Sequence, residues 1–205
     1  MNTVAIIDYG VGNLFSLASS LKAVGANAIV TGDPEEIKKA DKLILPGVGA
    51  FEDAAKKLRE SGLDEVIKHQ AASGKPLMGI CLGMQLLFEK SYEFGEHDGL
   101  GLIKGEIRAI SDYVSSDLKI PHIGWNRLRL TKEGCPIFKY LNDGEFVYFV
   151  HSFFGTDCDA DTAAVTEYGC ELTAAVAKEN VFGCQFHPEK SGEVGLSILR
   201  AFSEM

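Results

Sequence analysis

Four short apolar runs in the first ninety residues constrain this chain more than any other feature: VAIID (4–8), ANAIVT (26–31), KLILPG (42–47) and PLMGI (76–80). Each has the length and β-branched content of a buried strand, and helical patterns fill the spaces between them. Asn13 stands ahead of Leu14, Leu17, Ala18, Leu21 and Val24, which follow helical spacing, and Gly25 lies just past the end. Asp33, Pro34 and Glu36 supply a cap, a proline at the first helical position and a glutamate three residues after the cap. One or two helices cover 51–72, with a break near Ser61–Gly62. Strands separated by helices pair in parallel, because each connection must cross a face of the sheet. The pattern predicts an α/β fold: a doubly wound, mostly parallel sheet with helices on both faces.

After residue 95 the texture changes. GLIKGEIRAI, KIPHIGWNRLRLT, EFVYFVHSFFG, TAAVTEYG and ELTAAVAKE read as strands separated by turns, and EVGLSILRAFSEM as a closing helix. Antiparallel β strands are therefore expected in the C-terminal half. With no linker, repeat or low-complexity stretch, residues 1–205 are expected to form a single domain long enough to bury a sizeable core.

A formal charge of −9 argues against non-specific binding to nucleic acid or to an anionic membrane. MNTVAIIDYG lacks the basic and long apolar regions of a signal peptide, and no apolar stretch reaches the roughly 18 residues of a membrane span. Cysteines 81, 135, 158, 170 and 184 are odd in number and show no metal-ligand spacing. No disulfide framework, metal site or cofactor is expected, and a reducing cytoplasm is the expected setting.

In a parallel sheet, chemistry collects at the carboxyl ends of the strands. Three segments fall there: DYGVGN, PGVGAF and GICLG. In the last, Cys81 stands between two glycines at a strand-to-helix turn. A free cysteine there can be inert core packing. It can equally be a nucleophile on an elbow, where the turn strains the backbone, lifts the side chain above the sheet and lets the helix start favour a thiolate. Such a thiol wants a base. Of the five histidines, His69 and His97 read as solvated, while His122 and His151 sit inside strand-like runs as structural residues. His187 ends an apolar run and is followed by Pro188 and Glu189, so a carboxylate stands two residues from an imidazole whose tautomer it can fix. An ordinary turn with a surface glutamate is the alternative. For an oxyanion hole, the donors expected at an elbow are the amide of Leu82, after the nucleophile, and that of Val48 in the glycine-bearing loop after the third strand.

Taken together, PGVGAF, GICLGMQLL and FHPEKS, in that order and across most of the chain, resemble the class I, triad-type glutamine amidotransferases. The resemblance implies that Cys81 attacks the side-chain amide of L-glutamine, His187 protonates the departing ammonia and Glu189 orients His187. It implies substrate contacts for Gly49, Gln85, Glu93 and the backbone of Ser152 and Phe153. Phe153 stands where many relatives carry tyrosine. DYGVGNLFSL, IPHIGWN and HPEKS further resemble one subgroup, glutaminases that form a heterodimer with a separate (β/α)₈ cyclase. In that subgroup the ammonia yields imidazole glycerol phosphate and an aminoimidazole carboxamide ribotide in histidine biosynthesis. The likeness implies that Asn13, Trp125, Asn126 and Lys190 face the cyclase, with a core position the alternative for Trp125. The glutaminase of another ammonia-using synthase, or a stand-alone cysteine hydrolase on the same fold, remains open.

Overall fold

The computed structural model describes residues 2–205, and its first half follows the strand–helix alternation of the sequence. β1 (Thr3–Ile7) leads into α1 (Leu14–Ala23), where Asn13 Oδ1 accepts from the Ser16 N–H at 3.4 Å. β2 (Asn27–Thr31) leads into α2 (Pro34–Lys39), where Asp33 Oδ1 accepts from the Glu35 N–H at 2.9 Å. β3 (Lys42–Leu45) precedes α3 (Phe51–Glu60) and α4 (Leu63–Ala72). Gly62 separates these helices at φ 70°, a left-handed turn that glycine adopts without strain. β4 (Leu77–Ile80) then enters α5 (Leu82–Leu86), only five residues long.

The second half is built mainly of strands. β5 (Phe88–Ser91), β6 (His97–Asp98) and β7 (Ile103–Ala109) come first, followed by β8 (His122–Arg127), β9 (Arg129–Leu130), β10 (Phe146–His151) and β11 (Phe153–Thr156). β12 (Thr162–Glu167), β13 (Glu171–Lys178), β14 (Val181–Cys184) and α6 (Gly192–Ser203) complete the chain.

The main sheet runs in the order β2-β1-β3-β4-β14-β13-β12-β9. Its first five strands are mutually parallel and the last three antiparallel. Two smaller sheets lie apart: β11-β7-β5-β6 and the ribbon β10-β8. Two pairings depart from expectation: β5, a strand the sequence did not announce, joins β7 in parallel, and β14 leaves the expected antiparallel half by joining β4 in parallel. The second of these sets Cys184 opposite Ile80 and so places the residues before His187 beside those before Cys81.

Both faces of the sheet are covered, as parallel sheets require. Val4 and Ile6 of β1 pack with Leu17 and Leu21 of α1 and Ile198, Leu199 and Phe202 of α6. The intervening Ala5 and Ile7 pack with Ile37, Phe51, Leu58 and Ile67 from α2, α3 and α4. Each such buried aliphatic or aromatic side chain contributes about 1.5–3 kcal/mol relative to exposure. Because β1 lies between β2 and β3, the connections leaving its carboxyl end and that of β3 diverge, opening a crevice at the topological switch point. Among the described residues, no helix is long and apolar enough to cross a membrane.

Candidate active site

Cys81 occupies the turn between β4 and α5 with φ 54° and ψ −113°, in the left-handed region that residues with a Cβ avoid. Such a conformation costs on the order of 1–3 kcal/mol and persists only where its surroundings impose it. They do so here through backbone contacts. A Cβ on Gly83 would lie 1.8 Å from the Leu45 carbonyl oxygen, and one on Gly79 would lie 2.5 Å from the Gly83 oxygen. The first turn of α5 is thus pressed onto β3 and β4, and the Cys81 N–H donates to the Cys184 oxygen at 2.7 Å. Leu82 opens the helix, so its amide has no helical acceptor of its own.

The loop after β3 lies against this elbow. A Cβ on Gly47 would come within 2.9 Å of Gly83 N, Leu82 Cβ and Tyr9 Oη alike. Tyr9 donates its hydroxyl to the Pro46 oxygen at 2.7 Å. Burial, with the Cys81 thiol nearby, pushes the phenol well above its ordinary range and keeps it a neutral donor. Val48 is exposed and Gly49 sits at φ 97°.

Opposite the elbow, the chain beyond β14 carries His187, whose N–H donates to the Tyr148 oxygen at 3.0 Å. Pro188 then starts a short 3₁₀ turn that brings Glu189 back, and His187 Nδ1 meets Glu189 Oε1 at 2.8 Å. The two side chains are 3% and 4% exposed, which excludes a surface glutamate. Burial would depress the imidazole, but the adjacent Cys81 thiol and the Glu189 carboxylate outweigh it and lift His187 to about 9. His187 Nε2 is buried and makes no hydrogen bond within the protein.

Thiol and imidazole share a cleft of about 590 Å³. Every catalytic, oxyanion and substrate residue expected from the sequence lines it except Glu189, which stands behind His187. Gln85 is buried, its Nε2 donating to the Phe153 oxygen at 3.1 Å and to Gln185 Oε1 at 3.0 Å. It is no solvated helix residue. Glu93 Oε2 accepts from the Phe51 N–H at 2.7 Å, and burial pushes this carboxyl above its usual range. Ser152 and Phe153 present backbone at the end of β10 and the start of β11. A larger depression of about 810 Å³, between residues 130–141 and α6, is lined by Cys135 but by no histidine.

The four residues expected at a partner surface separate into two groups. Trp125 is 56% exposed, so it is no core residue, and it packs edge-on to Tyr148 across the β8–β10 ribbon with centroids 6.1 Å apart. Lys190 Nζ lies 5.9 Å from the same tyrosine ring, beside the cleft. Asn13 and Asn126 spend their side chains internally: Asn13 on its cap, and Asn126 on the Glu167 oxygen at 2.8 Å, on His122 Nε2 at 3.4 Å and, through Oδ1, on the Arg127 N–H at 2.9 Å.

The structure adds residues that the sequence did not single out. Ile123 and Phe146 are exposed on the ribbon that carries Trp125, where burial alternates along β8 and β10. Tyr9 and Gln185 reach the elbow from distant segments, for which no local pattern existed. His122 and His151 are buried and hydrogen-bonded to each other at 2.9 Å, as structural residues should be. His97 is not solvated; its side chain is 17% exposed and lies 4.0 Å from Glu52.

The family model described as "Glutamine amidotransferase class-I" matches residues 5–204. A protein of Caldanaerobacter subterraneus subsp. tengcongensis named "Imidazole glycerol phosphate synthase subunit HisH" is 52% identical over 203 residues, covering 98% of each chain. One of the same name from Lactococcus lactis subsp. lactis is 51% identical over 205 residues, covering 100% of this chain and 99% of that one. Among solved structures, "Structure of PurLQS from Thermotoga maritima" is similar with a TM-score of 0.77 at 23% identity, covering 98% of this chain and 97% of that one, which shows the shared fold.

Proposed function

The chain belongs to the class-I glutamine amidotransferase family, and from that premise we propose that Cys81, His187 and Glu189 are the triad by which it hydrolyses L-glutamine. Its activity is that of a glutaminase supplying ammonia for imidazole glycerol phosphate synthesis in histidine biosynthesis. The observation that carries the triad reading is the single cleft in which a thiol on a strained elbow meets an imidazole held at about 9 by that thiol and a buried carboxylate.

In the proposed sequence, the Cys81 thiolate adds to the glutamine side-chain carbonyl carbon. The amides of Leu82 and Val48 receive the developing oxyanion. His187 gives its Nε2 proton to the nitrogen, the C–N bond breaks, and ammonia leaves behind a thioester. The neutral Nε2 then takes a proton from water, which attacks the thioester. Collapse of the adduct releases glutamate and returns the sulfur and imidazole to their starting states. Glu189 holds Nδ1 throughout and stabilises the imidazolium. Glu93 stands where it can pair with the substrate ammonium, while Gln85, Gly49 and the Ser152–Phe153 backbone hold the rest.

The whole chain serves as one glutaminase domain, joined in the cytoplasm to a (β/α)₈ cyclase as a heterodimer. The exposed ribbon with Trp125 and neighbouring Lys190 support that surface. Asn13 and Asn126 act there as scaffold, their side chains already engaged. The decisive experiment replaces Cys81 by alanine in the complex with the cyclase. Glutamine-dependent synthesis is expected to vanish while synthesis from added ammonia persists; retained use of glutamine overturns the triad.

A further inference from the structure

Behind the Cys81 thiol two buried amides meet, and the direction of each hydrogen bond between them is determined. The Phe153 carbonyl can only accept. It receives Gln85 Nε2–H at 3.1 Å and His151 Nδ1–H at 2.9 Å, so both lone pairs are engaged. Burial holds His151 neutral, down to about 3, and its Nε2 accepts from His122 Nδ1–H at 2.9 Å, which leaves the Nδ1 proton on the Phe153 side. Gln85 must therefore turn its NH₂ toward Phe153, and the same nitrogen reaches Gln185 Oε1 at 3.0 Å. The NH₂ of Gln185 is left on the far side, where Nε2 stands 3.9 Å from Cys81 Sγ.

The reverse orientations fail. Turning Gln185 alone would set two NH₂ groups against each other in the buried site. Turning Gln85 as well would set its oxygen against the Phe153 carbonyl. Either leaves buried polar groups unpaired, which folded interiors avoid. A carbonyl in β11 thereby dictates, through two glutamines, that the sulfur faces a donor.

We propose that Gln185 is a further catalytic residue of this glutaminase, donating Nε2–H to the Cys81 thiolate while its Oε1 positions Gln85. This rests on the reading of Cys81 as the nucleophile. Gln185 is fully buried, belongs to no cap, and spends its amide on these two partners. A hydrogen bond to an ionised sulfur is charge-assisted and favours thiolate over thiol. With both N–H groups of Gln85 committed, its Oε1 is the group left for the cleft. It offers the substrate an acceptor, which suits an ammonium or an amide NH₂ and repels a carboxylate oxygen.

Two substitutions separate the roles. Gln185→Glu keeps an acceptor toward Gln85 but sets an oxygen against the sulfur; Gln185→Met removes both contacts without adding charge. In the full chain, iodoacetamide alkylation of Cys81, followed by peptide mapping, is expected to slow about tenfold or more in both variants at neutral pH. In the complex with the cyclase, KM for glutamine is expected to stay within about threefold in Gln185→Glu and to rise about tenfold in Gln185→Met, since only the latter frees Gln85. Melting curves identify folded variants, and if Gln185→Glu does not fold, Gln185→Met carries the alkylation measurement. Alkylation at the wild-type rate in a folded variant overturns the sulfur contact, and equal KM values in the two variants overturn the positioning of Gln85. Failure of the underlying reading is visible separately, as wild-type chain that keeps full glutaminase activity after Cys81 is alkylated.

Discussion

His187 and His151 line the same cleft, both are buried, and their affinities for a proton are displaced in opposite directions from that of an ordinary histidine. Burial pulls each imidazole toward its neutral form. For His187 the Cys81 thiol and Glu189 carboxylate reverse that pull and hold the ring near 9. His151 has no carboxylate beside it, and His122 and the His187 charge add to burial, taking it to about 3. His122 itself falls to about 4 by burial, stacked between Phe149 and Tyr168 at centroid distances of 4.9 and 4.2 Å. What decides a buried histidine is the charge within reach. Glu189 is placed within reach of His187 by the turn that Pro188 begins, only two residues along the chain.

The contrast is broken most directly by exchanging the roles. Replacement of His187 by glutamine in the complex should lower glutaminase kcat about 10³-fold or more, whereas the same change at His151 should stay within about tenfold. Equal losses in steady-state kinetics would erase the distinction. Glu189→Gln should cost about 10²-fold in kcat and, by removing a group that raises His187, move the alkaline limb of the pH–rate profile to lower pH. An unmoved limb would mean that the carboxylate does not control the imidazole.

The smallest effects concern stability and carry opposite signs. His187 binds its proton more tightly folded than unfolded, so its contribution is complete below the ordinary histidine value near 6.5 and is lost as pH rises through about 9. His122 and His151 bind theirs less tightly folded, so stability declines as pH falls below about 6.5, because the unfolded chain takes up protons that the native chain refuses until about 4 and 3. Melting temperatures against pH should show both slopes. His187→Gln should flatten the alkaline one, and His122→Gln part of the acid one.

The parallel half of the fold and the elbow were legible because their signals are local. Asn13 and Asp33 cap the helices they precede, Gly62 breaks the pair of helices, and Gly79 and Gly83 flank the cysteine they protect from collision. His187 and Glu189 were legible for the same reason, being two residues apart. Gln185, Tyr9 and the Phe51–Glu93 contact were not, since each depends on segments between 37 and 104 residues apart meeting at the cleft. The pairing of β5 with β7 was hidden because β5, Phe88–Ser91, carries two charged residues in four and was not legible as a strand at all. Asn126, expected to face a partner, instead donates its side-chain amide to the Glu167 carbonyl brought alongside by β12, a contact no local pattern could announce.

The exposed ribbon has a consequence outside catalysis. Ile123, Trp125 and Phe146 face water on the isolated chain, and contiguous apolar patches of that kind drive aggregation when nothing covers them. On that ground the isolated chain is expected to be most prone to aggregate at β8 and β10, where these three side chains stand exposed.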